Sequence, residues 1–312
     1  MSTFPSRTTG KLTKLWHDAA LNWQLYLFLL PALAYVIVFQ IVPLYGLQIA
    51  FRDYRVAFGI SGSKWVGLKH FENFFKSYYC GRLFYNTFTL NFLGLFFNSV
   101  VPVILAVTLN SIINERVKRI IQTIIYIPHF ISSVVLAGII YIFFSPENGI
   151  VNKLIMMFGG ESIHFMLKSE WFRPIYIGSG LWQNAGWDSI LYIAALSSID
   201  TSLYEAATID GATKLQKVRY IEIPSIIPIF TMMLILSCGR LLTSNTEKIL
   251  LLQTAGNSEV SDVFGTYVYN FGIGKGQFSY TTAIALVLNS ISFVMILLVN
   301  NITKHLNGTQ LF

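Results

Sequence analysis

Phe92-Leu-Gly-Leu-Phe-Phe-Asn-Ser-Val-Val-Pro-Val-Ile-Leu-Ala-Val-Thr-Leu109 carries no charged side chain and few polar ones. A helix rises about 1.5 Å per residue and the hydrocarbon core of a bilayer is about 30 Å thick, so a spanning helix needs about 20 mostly apolar residues. Extended to 86–110, this run meets that length. Five others of similar character lie at 26–50, 120–144, 174–198, 225–243 and 281–303. Buried core helices of a soluble protein would keep polar outer faces at helical spacing, and neither 92–109 nor 284–299 does.

The composition agrees. Of 312 residues, 54% are hydrophobic and 12% charged, against about 25% charged in an ordinary soluble domain. In lipid every backbone amide needs a partner within the protein, which leaves helices or a closed barrel, and these runs are too long and unalternating for barrel strands. The expected fold is an all-α integral membrane protein with six transmembrane helices. Residues 1–25 form an N-terminal segment, 26–303 one membrane domain and 304–312 a short tail. The first run is too long for a signal-peptide core and follows a polar start containing Arg7, Lys11 and Lys14, so it reads as a retained span. Cys80 and Cys238 have no C-x-x-C spacing and imply no disulfide framework or metal site. The net charge of +7 is spread over termini and loops without a dense patch, which speaks against nucleic-acid binding.

Charge counting barely orients the chain. Cytoplasmic termini place ten Lys/Arg inside and eleven outside. The tight loop 111–119, with Arg116, Lys118 and Arg119 against Glu115, tips the balance towards cytoplasmic termini, because short loops weigh most in the positive-inside rule. Two matches to the N-glycosylation pattern, Asn301-Ile-Thr303 and Asn307-Gly-Thr309, fall at the cytoplasmic end in this topology and read as chance. Pro31, Pro43, Pro102, Pro128 and Pro228 interrupt spans, and each removes a helical hydrogen bond and permits a bend.

The loop 199–224 between the fourth and fifth spans reads as two short helices around a glycine. Ser202 and Glu205 have capping-box spacing and start the first. Ala206 and Ala207 continue it, Gly211 allows a sharp turn after Asp210, Ala212 begins the second, and Pro224 opens the fifth span. Small residues stand where another protein's surface could come close, as on a docking knob.

Glu205-Ala206-Ala207, three residues, Gly211, nine residues, Ile221, one residue and Ile223-Pro224 resemble the EAA signature of permease subunits of binding-protein-dependent ABC importers, with Ile-Pro where the family pattern ends in Leu-Pro. The stretches 42–54, 65–71, 182–187 and 278–283 are similar to the oligosaccharide and polysaccharide branch of the maltose-type carbohydrate permeases. The resemblance implies an assembly in the bacterial cell membrane. Its other parts are a second, similar permease, two cytoplasmic ABC ATPases and an extracellular solute-binding protein that delivers a sugar or oligosaccharide. It also implies that Glu205, Ala206, Ala207, Asp210, Gly211 and Pro224 couple to the ATPase. This chain would bind no cofactor itself; ATP and Mg would sit on the ATPase subunits.

Polar groups within spans are unfavourable unless they face protein or a water-filled cavity. Trp182, Gln183, Asn184, Trp187 and Asp188 combine rings and polar groups as sugar binding requires. They are equally open to a packing reading, in which the tryptophans pack helices and the amides bond neighbouring backbone. Arg240 is placed to reach Asp188, and Asn245 and Asn289 are further candidates for the path. A gradient-driven transporter would show more midplane carboxylates and repeated halves. A membrane enzyme would gather acid and base groups, yet His17, His70, His129, His164 and His305 are scattered, and no phosphate-binding Gly-x-x-x-x-Gly-Lys-Ser/Thr run occurs. ABC import of a non-sugar solute is the runner-up.

Overall fold

The computed structural model describes residues 21–307. Arg7, Lys11, Lys14, His17 and the tail beyond Asn307 lie outside the described residues. The chain groups into two compact units, one ending at Lys69 and the other beginning at His70.

The first unit holds α1 (Trp23–Phe51), one continuous helical run. Its α-helical part passes through Pro31, a π turn covers Ile37–Ile41, and a tighter 3-10 stretch runs from Val42 to Phe51. Strand β1 (Arg52–Arg55) then pairs antiparallel with β2 (Ser63–Trp65). This hairpin corrects the all-helical expectation for the first long loop. It closes because the Ser63 hydroxyl donates to the Gly59 carbonyl and the Arg55 amide donates to that hydroxyl. The Phe51 ring stacks on Trp65 at 5.5 Å.

In the second unit α2 (Lys69–Phe75) leads into α3 (Tyr79–Asn110), which contains the opening sequence run and continues through Pro102 without a break. The expected third span is not a single rod. Helix α4 (Glu115–Tyr126) and the 3-10 turn Ile127–Phe130 meet α5 (Ser133–Phe143) at 101°. Pro128 stands at this corner, and the Ser132 side chain caps α5 by accepting from the Val135 amide. Of the five span prolines, Pro128 is the one at a sharp bend. Helix α6 (Ile150–Met157) follows, and α7 (Ser169–Ser197) is continuous, with a polar centre.

Helix α8 (Thr201–Ile209) ends at Gly211, and α9 (Lys214–Cys238) runs unbroken through Pro224. The expectation of a separate short helix and then a membrane re-entry is corrected. A π turn at Val218–Glu222 widens the bonding pattern just before the proline, so the missing N–H is passed without ending the helix. Pro43 has the same arrangement, directly behind the π turn at Ile37–Ile41. The fifth run ends at Cys238, earlier than the expected Thr243, and an irregular segment then carries α10 (Thr246–Leu252), α11 (Ser258–Ser261) and α12 (Phe264–Tyr269) before α13 (Phe278–Asn307).

Among the described residues four helices, α1, α3, α9 and α13, are long and apolar enough to cross a membrane, or five if the bent pair α4/α5 counts as one span. Their outer faces are the inverse of a soluble protein's: Phe96 is 57% exposed and Phe293 63%. Apolar surface on this scale belongs against lipid or another chain. Inside, one cluster joins Ala106 of α3, Tyr192 and Leu196 of α7 and Ile226 of α9. A second surrounds Phe74, Leu83, Phe264 and Ile284. One face of α3 satisfies backbone groups of the segment after α9 that its short helices leave open. Asn86 donates to the carbonyls of Glu259 and Asp262, Thr87 accepts from the Phe264 amide, and Asn91 donates to the Leu241 carbonyl. Non-helical backbone at membrane depth needs such protein partners.

Candidate functional site

Two regions bring together residues singled out from the sequence. The first is the turn between α8 and α9. The expected capping box of Ser202 and Glu205 is not formed. Asp200 is the cap, its carboxylate accepting from the Ser202 amide at 2.9 Å, and Ser202 lies within the first turn. That hydrogen bond holds the Asp200 carboxyl below the usual carboxylate range. A carboxylate at a helix N-terminus also faces the positive end of the helix dipole, which a serine would not exploit. Glu205 is thereby freed from a capping role and stands exposed, as do Ala206, Asp210 and Gly211.

Gly211 has φ +75°, the left-handed conformation expected of it. Its amide donates to Thr208 and the Ala212 amide to Ala207. This pair of bonds closes the helix end as a Schellman turn. The capping box predicted for the first helix is found on the second: Thr213 and Gln216 exchange side-chain-to-backbone bonds at the start of α9. Ala207, Asp210, Gly211, Lys217 and Tyr220 edge a shallow cleft of about 260 Å³. Beside it Ile209 is 87% exposed and Leu215 77%. These two apolar residues escaped the sequence reading, although their position flanking Gly211 was the available signal. Pro224 is exposed on α9, two residues beyond the buried Glu222.

The second region is the polar centre of α7, and the structure divides its residues by helix face. Trp182 faces an apolar hollow shared with α5, lined by Ile140, Phe143 and Ile175. Gln183 donates to the Ile131 carbonyl at 2.7 Å, and Asn184 Oδ1 lies 3.0 Å from His129 Nδ1. Trp187 stacks on the His129 ring with centroids 4.4 Å apart. Gln183, Asn184 and Trp187 thus bond and stack against the corner between α4 and α5. Gly186 permits the contact, since a Cβ there would overlap the Ile125 carbonyl. The role of His129 was not visible from sequence, where it stood as an isolated histidine.

Asp188 alone of that set lines a different space, a cavity of about 380 Å³ bounded by α3, α7, α9 and the turn after α9. Asn91, Asn98 and Ser99 enter from α3, Tyr176 and Tyr192 from α7, and Arg240 and Thr243 from the turn. Arg240 thus sits past the end of its helix rather than within a span. It shares the cavity with Asp188 without closing to a direct ion pair among the described residues. Lys248, also missed from sequence, is buried behind the wall, its ammonium donating to the Tyr176 carbonyl at 3.0 Å. Asn245 is not in the cavity wall; it caps α10 through the Lys248 amide. Asn289 is exposed on α13 and does not join it. No cluster of metal-ligating side chains occurs among the described residues.

Comparison with known proteins matches residues 87–308 to the family described as binding-protein-dependent transport system inner membrane component. The chain is 42% identical over 280 residues to the polygalacturonan/rhamnogalacturonan transport system permease protein YteP of Bacillus subtilis (strain 168), covering 90% of this chain and 87% of that one. Two crystal structures are similar at TM-score 0.88 and 36% identity. One is a bacterial alginate ABC transporter in complex with alginate pentasaccharide-bound periplasmic protein, with 96% of this chain and all of that chain covered. The other is a bacterial ABC transporter involved in import of the acidic polysaccharide alginate, with 94% and 99% covered.

Proposed function

We infer the function from one premise: the chain belongs to the family of binding-protein-dependent transport system inner membrane components, and is a multi-pass membrane permease subunit of an ABC importer. Its cargo is a sugar or oligosaccharide, and the working assembly adds a second permease, two ATPase subunits and an extracellular binding protein. This subunit does no chemistry itself; ATP and Mg act on the ATPases. It crosses the membrane six times, counting α7 and the broken pair α4/α5 as one crossing each, with both termini and the α8–α9 elbow in the cytoplasm. Glu205, Ala206, Ala207, Asp210, Gly211 and the exposed Ile209 and Leu215 meet the ATPase surface there.

The observation that carries the reading is this elbow. A Schellman turn fixes the direction of α9 relative to α8, and apolar side chains stand exposed beside it, which is how a surface made to be covered by another protein looks. Because α9 continues without interruption into the membrane, a push on the elbow moves a whole span.

The cavity holding Asp188 and Arg240 is this subunit's part of the path. A hydroxyl-rich chain finds acceptors and donors in Asp188, Asn98 and Ser99 and a ring in Tyr176. Arg240, with Lys248 behind the wall, suits a cargo bearing carboxylates, in keeping with the acidic polysaccharide of the structural relative. The test is ATP-driven uptake by the reconstituted assembly with neutral and uronate-containing oligosaccharides. Uptake should require the binding protein and ATP, and Arg240→Ala should raise KM severalfold for the acidic cargo more than for the neutral one. Transport by this chain alone under an ion gradient would overturn the reading.

A further inference from the structure

Glu222 is a carboxylate at the start of the apolar part of α9, 5% exposed, in the π turn that precedes Pro224. Its Oε1 accepts from the Asn110 amide at 3.0 Å and from the Tyr204 hydroxyl at 3.3 Å. The same Asn110 amide lies 3.4 Å from the Tyr204 oxygen, closing a triangle. Its other oxygen, Oε2, is buried without a hydrogen-bond partner. A buried carboxylate held only by neutral donors on one oxygen is a poor way to stabilise a helix entry. A leucine or methionine would fill the space without that penalty.

The three corners of the triangle belong to three separate helices. Asn110 is the last residue of α3, Tyr204 is on α8 and Glu222 is on α9. About one turn further into the membrane, the apolar cluster of Ala106, Tyr192, Leu196 and Ile226 locks α3, α7 and α9 together. Across Gly211, α8 and α9 are also joined by the bond from the Lys217 ammonium to the Thr208 hydroxyl, which is solvent-exposed and correspondingly weak.

We propose that Glu222 is a positioning residue for energy coupling: it fastens α8 to the ends of α3 and α9, so that displacement of the elbow reaches both helices as one body. The inference rests on the elbow's docking role. A carboxylate serves because it accepts two bonds at one oxygen more strongly than an amide or hydroxyl would. The π turn serves because the extra residue in its ring rotates the following side chains and lets Glu222 point at α3 and α8 while the helix continues.

The experiment uses the complete importer in proteoliposomes and reads cargo taken up per ATP hydrolysed, with assembly checked by co-purification. Tyr204→Phe, which removes one hydroxyl, and Glu222→Ala should each lower that ratio about fivefold or more while ATP hydrolysis and assembly persist. Glu222→Gln, which keeps an acceptor oxygen, should recover at least half of the wild-type ratio. An unchanged ratio in assembled Tyr204→Phe and Glu222→Ala overturns the proposal, as does a Glu222→Gln variant no better than alanine. If Glu222→Ala fails to assemble, Tyr204→Phe decides alone. Gly211→Asp separates the two readings: normal uptake with that variant removes the elbow's docking role itself, whereas lost uptake beside an unchanged ratio in the Tyr204 and Glu222 variants removes only the fastening.

Discussion

The elbow around Gly211 and the polar centre of α7 both interrupt an apolar chain, and they use their polar groups in opposite ways. In the elbow the partners are close in sequence. Asp200 caps Ser202, Gly211 and Ala212 bond back to Thr208 and Ala207, and Thr213 exchanges with Gln216. In α7 Gln183 and Asn184 reach Ile131 and His129, 52 and 55 residues away, while the Asn184 amide also donates locally to the Gly180 carbonyl. A locally closed structure keeps its outer surface free for another body. A structure closed at long range spends its polar capacity on holding its own helices together.

The largest expected effect is in the elbow. Gly211→Asp places a side chain in a left-handed conformation that costs about 1 kcal/mol or more outside glycine, and adds charge to the exposed elbow surface. Uptake should fall by more than about tenfold while the protein still co-purifies with its partners; near-normal uptake would erase the distinction between the two regions. Next comes the close approach under α7. Gly186→Val drives a branched side chain into the Ile125 carbonyl, and overpacking of this kind destabilises by about 1–3 kcal/mol. Thermal unfolding of the purified protein in detergent should show it as a lowered midpoint, with no comparable drop for Gly211→Asp.

Gln183→Ala is milder. It leaves the Ile131 carbonyl at the corner without its donor, at about 1–2 kcal/mol, and the same melting measurement should register it. A selective loss of cargo preference with unchanged stability would instead return Gln183 to the path. The smallest effect belongs to Asp200→Ala. Amide protection at Ser202 should fall without a change in global unfolding, as read by hydrogen exchange. Because the Asp200 carboxyl is held below its usual range, the wild-type cap is formed at neutral pH. It should be lost only as pH falls through that lowered value, and the alanine variant should lack this acid transition.

These differences also explain what was legible in the sequence. The long apolar helices follow from composition and length, and Gly211 follows from backbone sterics, so both were readable from neighbouring residues. The first-helix cap was misplaced because Asp200 and Ser202 both offer an oxygen, and the charge that favours Asp200 acts through the helix dipole rather than through spacing. The single-rod expectation for 120–144 missed the corner because Pro128 looks like Pro102, which passes within an unbroken α3; what separates them is the set of α7 side chains that accept the bent geometry. Gln183, Asn184 and Asp188 are nearly adjacent in sequence, but helical rotation sends the amides to the corner and the carboxylate to the cavity. The hairpin at 52–65 escaped because its strands are only three or four residues long.

The corner at Pro128 bears on the surrounding bilayer. Two limbs set at 101° cannot both run along the membrane normal. The longer limb, residues 115–130, extends about 24 Å at helical rise, and α5 with its 11 residues about 16 Å. Neither reaches the about 30 Å of the hydrocarbon slab. A crossing built from this pair would be a stepped ledge whose missing depth neighbouring helices make up, and acyl chains beside it would meet a protein wall of uneven height.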